Sequence, residues 1–157
     1  MLTTNVMRIL ESEGIPFSSL EYEWSEDDLS GVHAAQAMGL DPETVFKTLV
    51  ARGDKTGLNV FIIPVAEELD LKKCARASGN RSVEMIHVKE LKPLTGYERG
   101  GCSPIGMKKK LPTFIDETAL LTDEIAVSGG RRGVQVKLKP SDLIRASAAE
   151  PADLIVY

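Results

Sequence analysis

Residues 44–64 read TVFKTLVARGDKTGLNVFIIP, and this stretch contains the two strongest strand patterns of the chain. Residues 44–52 and 58–64 are rich in β-branched and aromatic residues, which favour extended structure. The GDKTG segment between them supplies two glycines, which suit the turn of a hairpin. The stretch therefore predicts a β-hairpin.

The rest of the chain mixes helix and strand patterns around this hairpin. Thr3 or Thr4 can cap a first helix that ends at Gly14, and Ser141 can cap a last helix that extends to Ala149. Further helices are predicted over residues 30–38, 70–78 and 88–94, and further strands over residues 17–24, 83–86, 113–116, 124–128, 133–138 and 153–157. Because these elements do not alternate strictly as βαβ units, the predicted class is α+β. We expect one domain over residues 1–157, with a curved or closed sheet and helices packed outside it.

The composition narrows the range of functions. The chain has 157 residues, a formal net charge of −4 and a pI of about 5.3, so it lacks the overall basic field of proteins that adhere to long nucleic acids. Basic residues form only short runs at 72–73, 108–110 and 131–132, so any nucleic acid contact must be local. Cys74 and Cys102 form no C-x-x-C pair, which argues against a zinc ribbon or a disulfide framework. Because no apolar run approaches a membrane span and the N-terminus lacks signal-peptide features, we expect a cytoplasmic protein.

Lys47 is the unusual residue of the first strand pattern. In a strand, alternate side chains share a face, so Lys47 points the same way as Val45 and Leu49. The opposite face, residues 46, 48 and 50, is also expected to be buried. Because an unpaired ammonium is costly to bury, Lys47 either extends along a strand edge to water or meets a phosphate or carbonyl at the mouth of a cavity. The pattern alone leaves both interpretations open.

Two glycine-rich stretches are candidate binding loops. Residues 98–110, ERGGCSPIGMKKK, place Gly100, Gly101 and Pro104 directly before three lysines. Such glycines let a ligand approach the main chain, whose N–H groups could hold an oxyanion or an ester carbonyl. Residues 127–133, VSGGRRG, form a second turn with two arginines but match neither the G-x-x-x-x-G-K-[ST] nor the G-x-G-x-x-G phosphate motif. Both stretches are also compatible with plain structural turns.

Standard catalytic motifs are weak in this chain. Ser103 lies in GCSPIG, which is one residue too long for the G-x-S-x-G nucleophile motif. Cys102 could act as a nucleophile with His33 or His87 as its base, but neither histidine has a distinguishing context. With only two histidines, a catalytic zinc site is not expected either.

Four segments occur in one order and together resemble the YbaK/ProX (EbsC) family of aminoacyl-tRNA deacylases. They are VFKTLV at 45–50, LDLKKCA at 69–75, TGYERGGCSPIGMKKKLP at 95–112 and VSGGRRG at 127–133. The resemblance extends essentially from end to end. It implies a single mixed α+β domain built round a six-stranded barrel-like sheet that is surrounded by helices.

The resemblance implies trans-editing, in which a wrong amino acid is removed from tRNA after a synthetase has attached it. Such editing is needed because pockets discriminate between small side chains by only about 1–3 kcal/mol per methylene. The branch with this combination of motifs acts on cysteine attached to tRNA(Pro), where the substrate's own thiol attacks its ester carbonyl and leaves as a cyclic thiolactone. The implied partners are the acceptor end of mischarged tRNA(Pro) and a prolyl-tRNA synthetase. No cofactor, metal or membrane is implied.

The resemblance also implies site residues. Lys47 and Gly101 would be catalytic, with Lys47 binding the aminoacyl group or the terminal ribose and phosphate, and amides near Gly101 stabilising the oxyanion. The implied substrate-binding residues are Tyr22, Ser30, Thr48, Cys102, Ser103, Pro104, Ser128, Gly129 and Gly130. The implied contacts to tRNA phosphates are Lys108, Lys109, Lys110, Arg131 and Arg132.

Two positions depart from the pattern of the family. Relatives commonly carry an aliphatic residue where this chain has Cys102, and they often have a phenylalanine near the position of Ser30. Both departures leave release of alanine or serine as an alternative to release of cysteine. A module of the same fold that binds aminoacyl or nucleotide groups without turnover is a further alternative.

Overall fold

The structure is a computed structural model that describes residues 3–157. Five α-helices occur among these residues. They are α1 (Asn5–Ser12), α2 (Gly31–Met38), α3 (Leu71–Ser78), α4 (Val88–Thr95) and α5 (Pro140–Ser147). Two short 3-10 helices span Pro42–Thr44 and Glu117–Leu121. The predicted helices are confirmed to within two residues, although the last begins at Pro140 with Lys139 as its N-cap, not at a Ser141 cap.

The helix ends have local causes. The Thr4 hydroxyl accepts a hydrogen bond from the Met7 amide at 3.3 Å, which satisfies one of the free N–H groups at the start of α1. The Asp70 carboxylate does the same for two amides at the start of α3. Gly39 and Gly79 end α2 and α3 in the left-handed conformation, with φ of 69° and 77°, which glycine adopts without a side-chain clash.

Eight strands, arranged in two sheets, are found within residues 3–157. They are β1 (Ser18–Glu21), β2 (Phe46–Gly53), β3 (Gly57–Pro64), β4 (Val83–Met85), β5 (Thr113–Asp116), β6 (Ile125–Ser128), β7 (Val134–Leu138) and β8 (Glu150–Ala152). One sheet has the order β1-β7-β6 and the other the order β4-β2-β3-β5-β8. Strands β2 and β3 pair antiparallel along their whole length, so the predicted hairpin is confirmed.

The two sheets correct the expectation of one six-stranded barrel-like sheet. Strand β2 has β3 along one edge, while its other edge is divided between two partners. At one end, Ala51–Gly53 pair with β4, and at the other end Val45, directly before β2, makes a single parallel bridge to Ala126 of β6. Within residues 3–157 the sheets therefore meet at one bridge and do not close into a continuous barrel. The mixed α/β class is confirmed.

Two predicted strands are wrong in extent. The strand expected over residues 17–24 ends at Glu21, because its partner strand turns away at Gly133, which has φ of 82°. The strand expected over residues 153–157 is replaced by β8, and beyond it Ile155 makes only an isolated bridge to Leu69. The Leu154 amide there donates to the buried Asp116 carboxylate at 3.0 Å. The Asp116 side chain thus takes the place of a partner strand at Leu154.

The largest apolar cluster joins both sheets. It includes Leu10 of α1, Ile62 of β3, Val127 of β6 and Val136 of β7, which are all fully buried. A second cluster lies around α3 and contains Phe61. None of the helices described for residues 3–157 has the length and apolar character needed to cross a bilayer.

Candidate active site

A cavity of about 390 Å³ lies where the two sheets separate. In the described part of the chain, no strand pairs with residues 46–49 on the edge of β2 that is shared between β4 and the Val45–Ala126 bridge. The cavity is lined by residues 45–50, by residues 85–88 at the end of β4, and by Ser128 and Gln135 of the other sheet. Its volume is within the range of sites for small ligands. The interruption in strand pairing therefore creates the site.

Lys47 lines this cavity. Its side chain is half-buried, and no hydrogen bond or ion pair to its ammonium group is found within residues 3–157. Burial lowers the pKa of Lys47 from its ordinary value, although Glu68 and Glu67 oppose the shift. The expectation that both faces of the strand are buried is wrong for the face of Lys47 and Leu49, which is only partly covered. An unpaired cation beside a cavity is suited to bind an anion or a carbonyl oxygen.

Two polar side chains in the cavity wall lack partners. Thr48 and Gln135 are 8% and 6% exposed, and the Thr48 hydroxyl oxygen and the Gln135 Oε1 have no hydrogen bond in the structure. Buried polar groups are nearly always paired, because an unpaired one loses its hydration without compensation. Both residues line the cavity. A ligand in the cavity is the simplest source of the missing partners.

Tyr22, Ser30 and Ser128 also line the cavity, as does Cys102. The Ser128 hydroxyl oxygen accepts a hydrogen bond from the Gly130 amide at 3.1 Å, which leaves its own O–H available as a donor. The Ser30 oxygen caps α2 by accepting from the His33 amide at 3.2 Å. These residues come from four separated parts of the chain.

The start of α2 lies close to β3 because residue 31 is glycine. A Cβ atom at Gly31 would lie 2.3 Å from Cγ1 of Val65, which is closer than real contacts allow. The missing side chain therefore lets the helix approach the sheet and places Ser30 at the cavity wall.

The first glycine loop, residues 98–110, contributes fewer residues to the cavity wall than the sequence predicted. Gly100 and Cys102 line the cavity, but Gly101, Ser103 and Pro104 do not. The Gly101 amide donates to the Glu98 carbonyl at 2.9 Å, so its predicted role as an oxyanion donor does not fit. Glycine at 101 instead permits close packing, since a Cβ atom there would lie 3.0 Å from the main-chain nitrogen of Arg132. Ser103 is fully buried and accepts a hydrogen bond from the Ile105 amide at 3.3 Å.

The amide of Cys102 remains available in that loop. No hydrogen bond from it is found within the described part of the chain. The Cys102 thiol is a poor nucleophile, because burial raises its pKa to about 12 and keeps it protonated at neutral pH. Of the two histidines considered as its base, His87 lines the cavity and His33 does not.

The second glycine loop, residues 127–133, contributes only Ser128 to the cavity lining. Gly129 and Gly130 do not line it. The Gly129 amide donates to the Val134 carbonyl at 2.8 Å, and Gly130 takes φ of 98° against Val6 and the Tyr97 ring. Both glycines therefore shape the turn that presents Ser128.

The predicted phosphate contacts differ in how free they are. The lysines at 108–110 and Arg131 are exposed and lie outside the cavity lining, although the Lys108 ammonium donates to the Pro93 carbonyl at 3.5 Å. Arg132 is held in place: its Nε donates to the Arg99 carbonyl at 2.8 Å, and it pairs with Glu26 and Glu98 at 3.8 and 3.9 Å. Arg132 therefore ties the two glycine loops together.

Several residues of the site were not predicted from the sequence. Arg99 and Gln135 line the cavity without having been expected there, and Tyr97 positions both loops from behind, whereas Gly100, a predicted candidate of the first glycine loop, does line the cavity. The Tyr97 hydroxyl donates to the Ile105 carbonyl. Burial raises the pKa of Tyr97 to about 12, so this donor stays protonated. Arg99 lies inside the motif at 98–110, and Gln135 lies two residues after the motif at 127–133, so both were close to residues that the sequence singled out.

Comparisons with known proteins place the chain in a family. Residues 30–146 match the family model of the aminoacyl-tRNA editing domain. A relative in Enterococcus faecalis (strain ATCC 700802 / V583), named "Putative Cys-tRNA(Pro)/Cys-tRNA(Cys) deacylase EbsC", is 48% identical over 96% of this chain and 92% of its own length. A proline–tRNA ligase of Shouchella clausii (strain KSM-K16) is 29% identical over 64% of this chain and 17% of its own length.

A solved structure described as "Crystal structure of a putative trans-editing enzyme for prolyl tRNA synthetase" shares the fold. Its TM-score is 0.82 at 28% identity, over 99% of this chain and 100% of the other. The chain belongs to the aminoacyl-tRNA editing domain family. The family predicted from the four sequence segments is confirmed.

Proposed function

We propose that this protein releases cysteine from mischarged Cys-tRNA(Pro). The observation that carries the proposal is the half-buried Lys47 ammonium, which has no partner within residues 3–157 and lines a cavity of about 390 Å³. Membership of the editing family and the name of the Enterococcus relative support the choice of substrate. Residues 1–157 act as one editing unit in this proposal, in the cytoplasm.

The reaction uses the substrate's own sulfur. The cysteinyl thiolate attacks the ester carbonyl carbon, the bond between that carbon and the terminal ribose oxygen breaks, and a cyclic thiolactone leaves. The thiol proton ends on the ribose oxygen, so no protein nucleophile is needed. This suits a cavity in which the Cys102 thiol is protonated and Ser103 is outside the lining.

The protein's part is to orient and stabilise. Negative charge develops on the carbonyl oxygen during the attack. We assign its stabilisation to the Lys47 ammonium and the free amide of Cys102. The Gly101 amide already donates to the Glu98 carbonyl, so the Cys102 amide takes the role predicted for it. Ser128, Tyr22 and Thr48 line the cavity around the aminoacyl group. The exposed lysines at 108–110 and Arg131 remain candidate contacts to tRNA phosphates.

A comparison of three substrates tests the proposal. Purified protein is incubated separately with Cys-tRNA(Pro), Ala-tRNA(Pro) and Pro-tRNA(Pro), and the loss of each aminoacyl ester is followed. Rapid loss of cysteine with slow loss of the other two is expected. Preferential release of alanine would contradict cysteine as the substrate and support the alternative of alanine release that the sequence left open. Equal, background rates for all three would favour a binding module without turnover.

A prolyl-tRNA synthetase is a proposed partner. The support is the similarity of 64% of this chain to part of a proline–tRNA ligase and the description of the solved trans-editing structure. Adding prolyl-tRNA synthetase to the deacylation assay is expected to lower the concentration of editing protein needed for half-maximal rate.

The unpaired Thr48 hydroxyl gives a prediction in which stability and binding change in opposite directions. Thr48→Val removes a buried group without a partner, so the free energy of unfolding should rise by about 1 kcal/mol. The KM for Cys-tRNA(Pro) should rise about three- to tenfold, the effect of losing one modest hydrogen bond. Urea denaturation and initial deacylation rates measure the two effects.

Thr113 supplies a matched control. It is also buried, at 7% exposure, but its hydroxyl donates to the Leu111 carbonyl at 2.9 Å. Thr113→Val should therefore lower the free energy of unfolding by about 1 kcal/mol and leave the KM unchanged. A Thr48→Val variant that behaved like Thr113→Val would remove Thr48 from the site.

A further inference from the structure

A second concavity lies next to the cavity. It is an open groove of about 520 Å³ between residues 21–24 and 131–134, and Tyr22 lines both spaces. The Tyr22 amide donates to the Gly133 carbonyl at 2.9 Å, which fixes the wall that the two spaces share. A chain that leaves the cavity past Tyr22 therefore enters this groove.

The groove contains Trp24, whose side chain is 42% exposed. Gly133 allows the ring to lie on the main chain, since a Cβ atom there would be 2.6 Å from the Trp24 Cδ1. The Arg132 guanidinium is 5.4 Å from the ring centroid, within cation–π distance. Arg132 is itself fixed by the Arg99 carbonyl. The ring is thus a rigid, partly open aromatic surface of the kind on which nucleic acid bases stack.

The charges around the ring suit a base together with the phosphate beside it. Glu21 and Glu23 line the same groove and are exposed, while Arg132 is already paired with Glu26 and Glu98. Arg131, which is also exposed in this groove, remains the candidate contact to the adjoining phosphate. Carboxylates repel phosphate, but they accept hydrogen bonds from the exocyclic amino groups of cytosine and adenine. Transfer RNA ends in the unpaired sequence CCA, in which each base carries such an amino group.

We propose that this groove binds an unpaired cytosine or adenine of the tRNA acceptor end, stacked on Trp24 with its amino group towards Glu21 or Glu23. The inference rests on the proposed function, because that function places the aminoacylated ribose in the adjoining cavity. It gives Arg132 a role in holding Trp24, in place of the phosphate contact expected from the sequence.

Because Trp24 is the single tryptophan of the chain, its fluorescence reports on the groove directly. The trinucleotide CCA, without an amino acid, should quench Trp24 emission saturably. The trinucleotide UUU, whose bases lack exocyclic amino groups, should bind at least about fivefold more weakly. Glu23→Gln should reduce this preference for CCA. Quenching by neither trinucleotide, or equal affinity for both, would overturn the proposal.

Kinetics provide an independent measurement. Trp24→Ala should raise the KM for Cys-tRNA(Pro) roughly 5- to 150-fold, with kcat within about twofold of wild type. Trp24→Phe keeps an aromatic surface and should stay within about threefold of the wild-type KM, which controls for loss of fold. An unchanged KM in Trp24→Ala would overturn the proposal.

The two proposals fail in different ways. If wild-type protein releases cysteine but its Trp24 emission does not respond to CCA, the proposed function is supported and the proposal about the groove is contradicted. Wild-type protein that binds CCA at Trp24 but releases no amino acid would retain the groove and lose the proposed function.

Discussion

Lys47→Ala is expected to lower kcat/KM for Cys-tRNA(Pro) at least about 100-fold, the usual effect of removing one donor that stabilises an oxyanion. The Lys47 ammonium has no hydrogen-bond or ion-pair partner within residues 3–157 and lines the cavity, so its removal breaks no such interaction in this part of the protein. Deacylation rates under subsaturating substrate measure the effect. Lys55, exposed at the turn of the same hairpin, provides the matched control, and Lys55→Ala should keep wild-type activity.

The lowered pKa of Lys47 fixes the direction of two further changes. Because activity needs the ammonium form, the rate should fall on the alkaline side at a lower pH than the ordinary lysine pKa. In the folded protein, burial disfavours the charged form, so the ammonium costs stability at neutral pH. This cost is fully present below the folded pKa of Lys47 and falls to zero as pH rises from the folded pKa to the higher unfolded pKa. Lys47→Met should therefore raise the melting temperature at pH 7 while abolishing activity. A lower melting temperature would mean that Lys47 has a structural partner.

The second large effect concerns the sulfur of the substrate. Replacing Cys-tRNA(Pro) by Ser-tRNA(Pro) should lower the rate of ester cleavage at least about 100-fold, because an alcohol is a far weaker nucleophile than a thiolate and intramolecular attack contributes most of the acceleration. Single-turnover measurements with saturating protein isolate this step. Detection of the thiolactone before free cysteine would identify the intermediate.

The thiol of the protein provides the control for this result. Cys102→Ala should keep the rate on Cys-tRNA(Pro) within about threefold, since burial keeps the Cys102 thiol protonated at neutral pH. If Cys102→Ala were inactive and Ser-tRNA(Pro) were cleaved as fast as Cys-tRNA(Pro), the nucleophile would belong to the protein. His87, which lines the cavity, would then be the first candidate for its base.

The sequence predicted most of the secondary structure because its signals are local. The hairpin of β2 and β3 depends on β-branched residues and the glycines of GDKTG, and the ends of α2 and α3 depend on Gly39 and Gly79. Sheet closure is not local. Whether β2 pairs with β6 along its length or at one bridge depends on how β4 competes for the same edge, and no residue pattern within β2 expresses that competition.

The site shows the same division. Lys47 was identifiable because a charged residue interrupts an apolar strand, and Thr48 and Ser128 follow from the motifs around them. For Gly101 the sequence left two interpretations open, because a glycine that permits ligand approach and one that permits chain packing look alike in sequence. Its amide donates to Glu98, and the absence of its Cβ accommodates the main chain of the Arg131–Arg132 turn. Gln135 was missed because its unpaired oxygen is visible only when its surroundings are known.

The single bridge between Val45 and Ala126 has a consequence for how specificity can evolve. A small rotation of one sheet relative to the other about this point changes the width of the cavity without breaking the pairing inside either sheet. Substitutions in the apolar layer between the sheets can therefore retune which amino acid fits, even when they never touch it. Descendants of one ancestral editor could diverge in substrate while every residue that faces the ester stays the same.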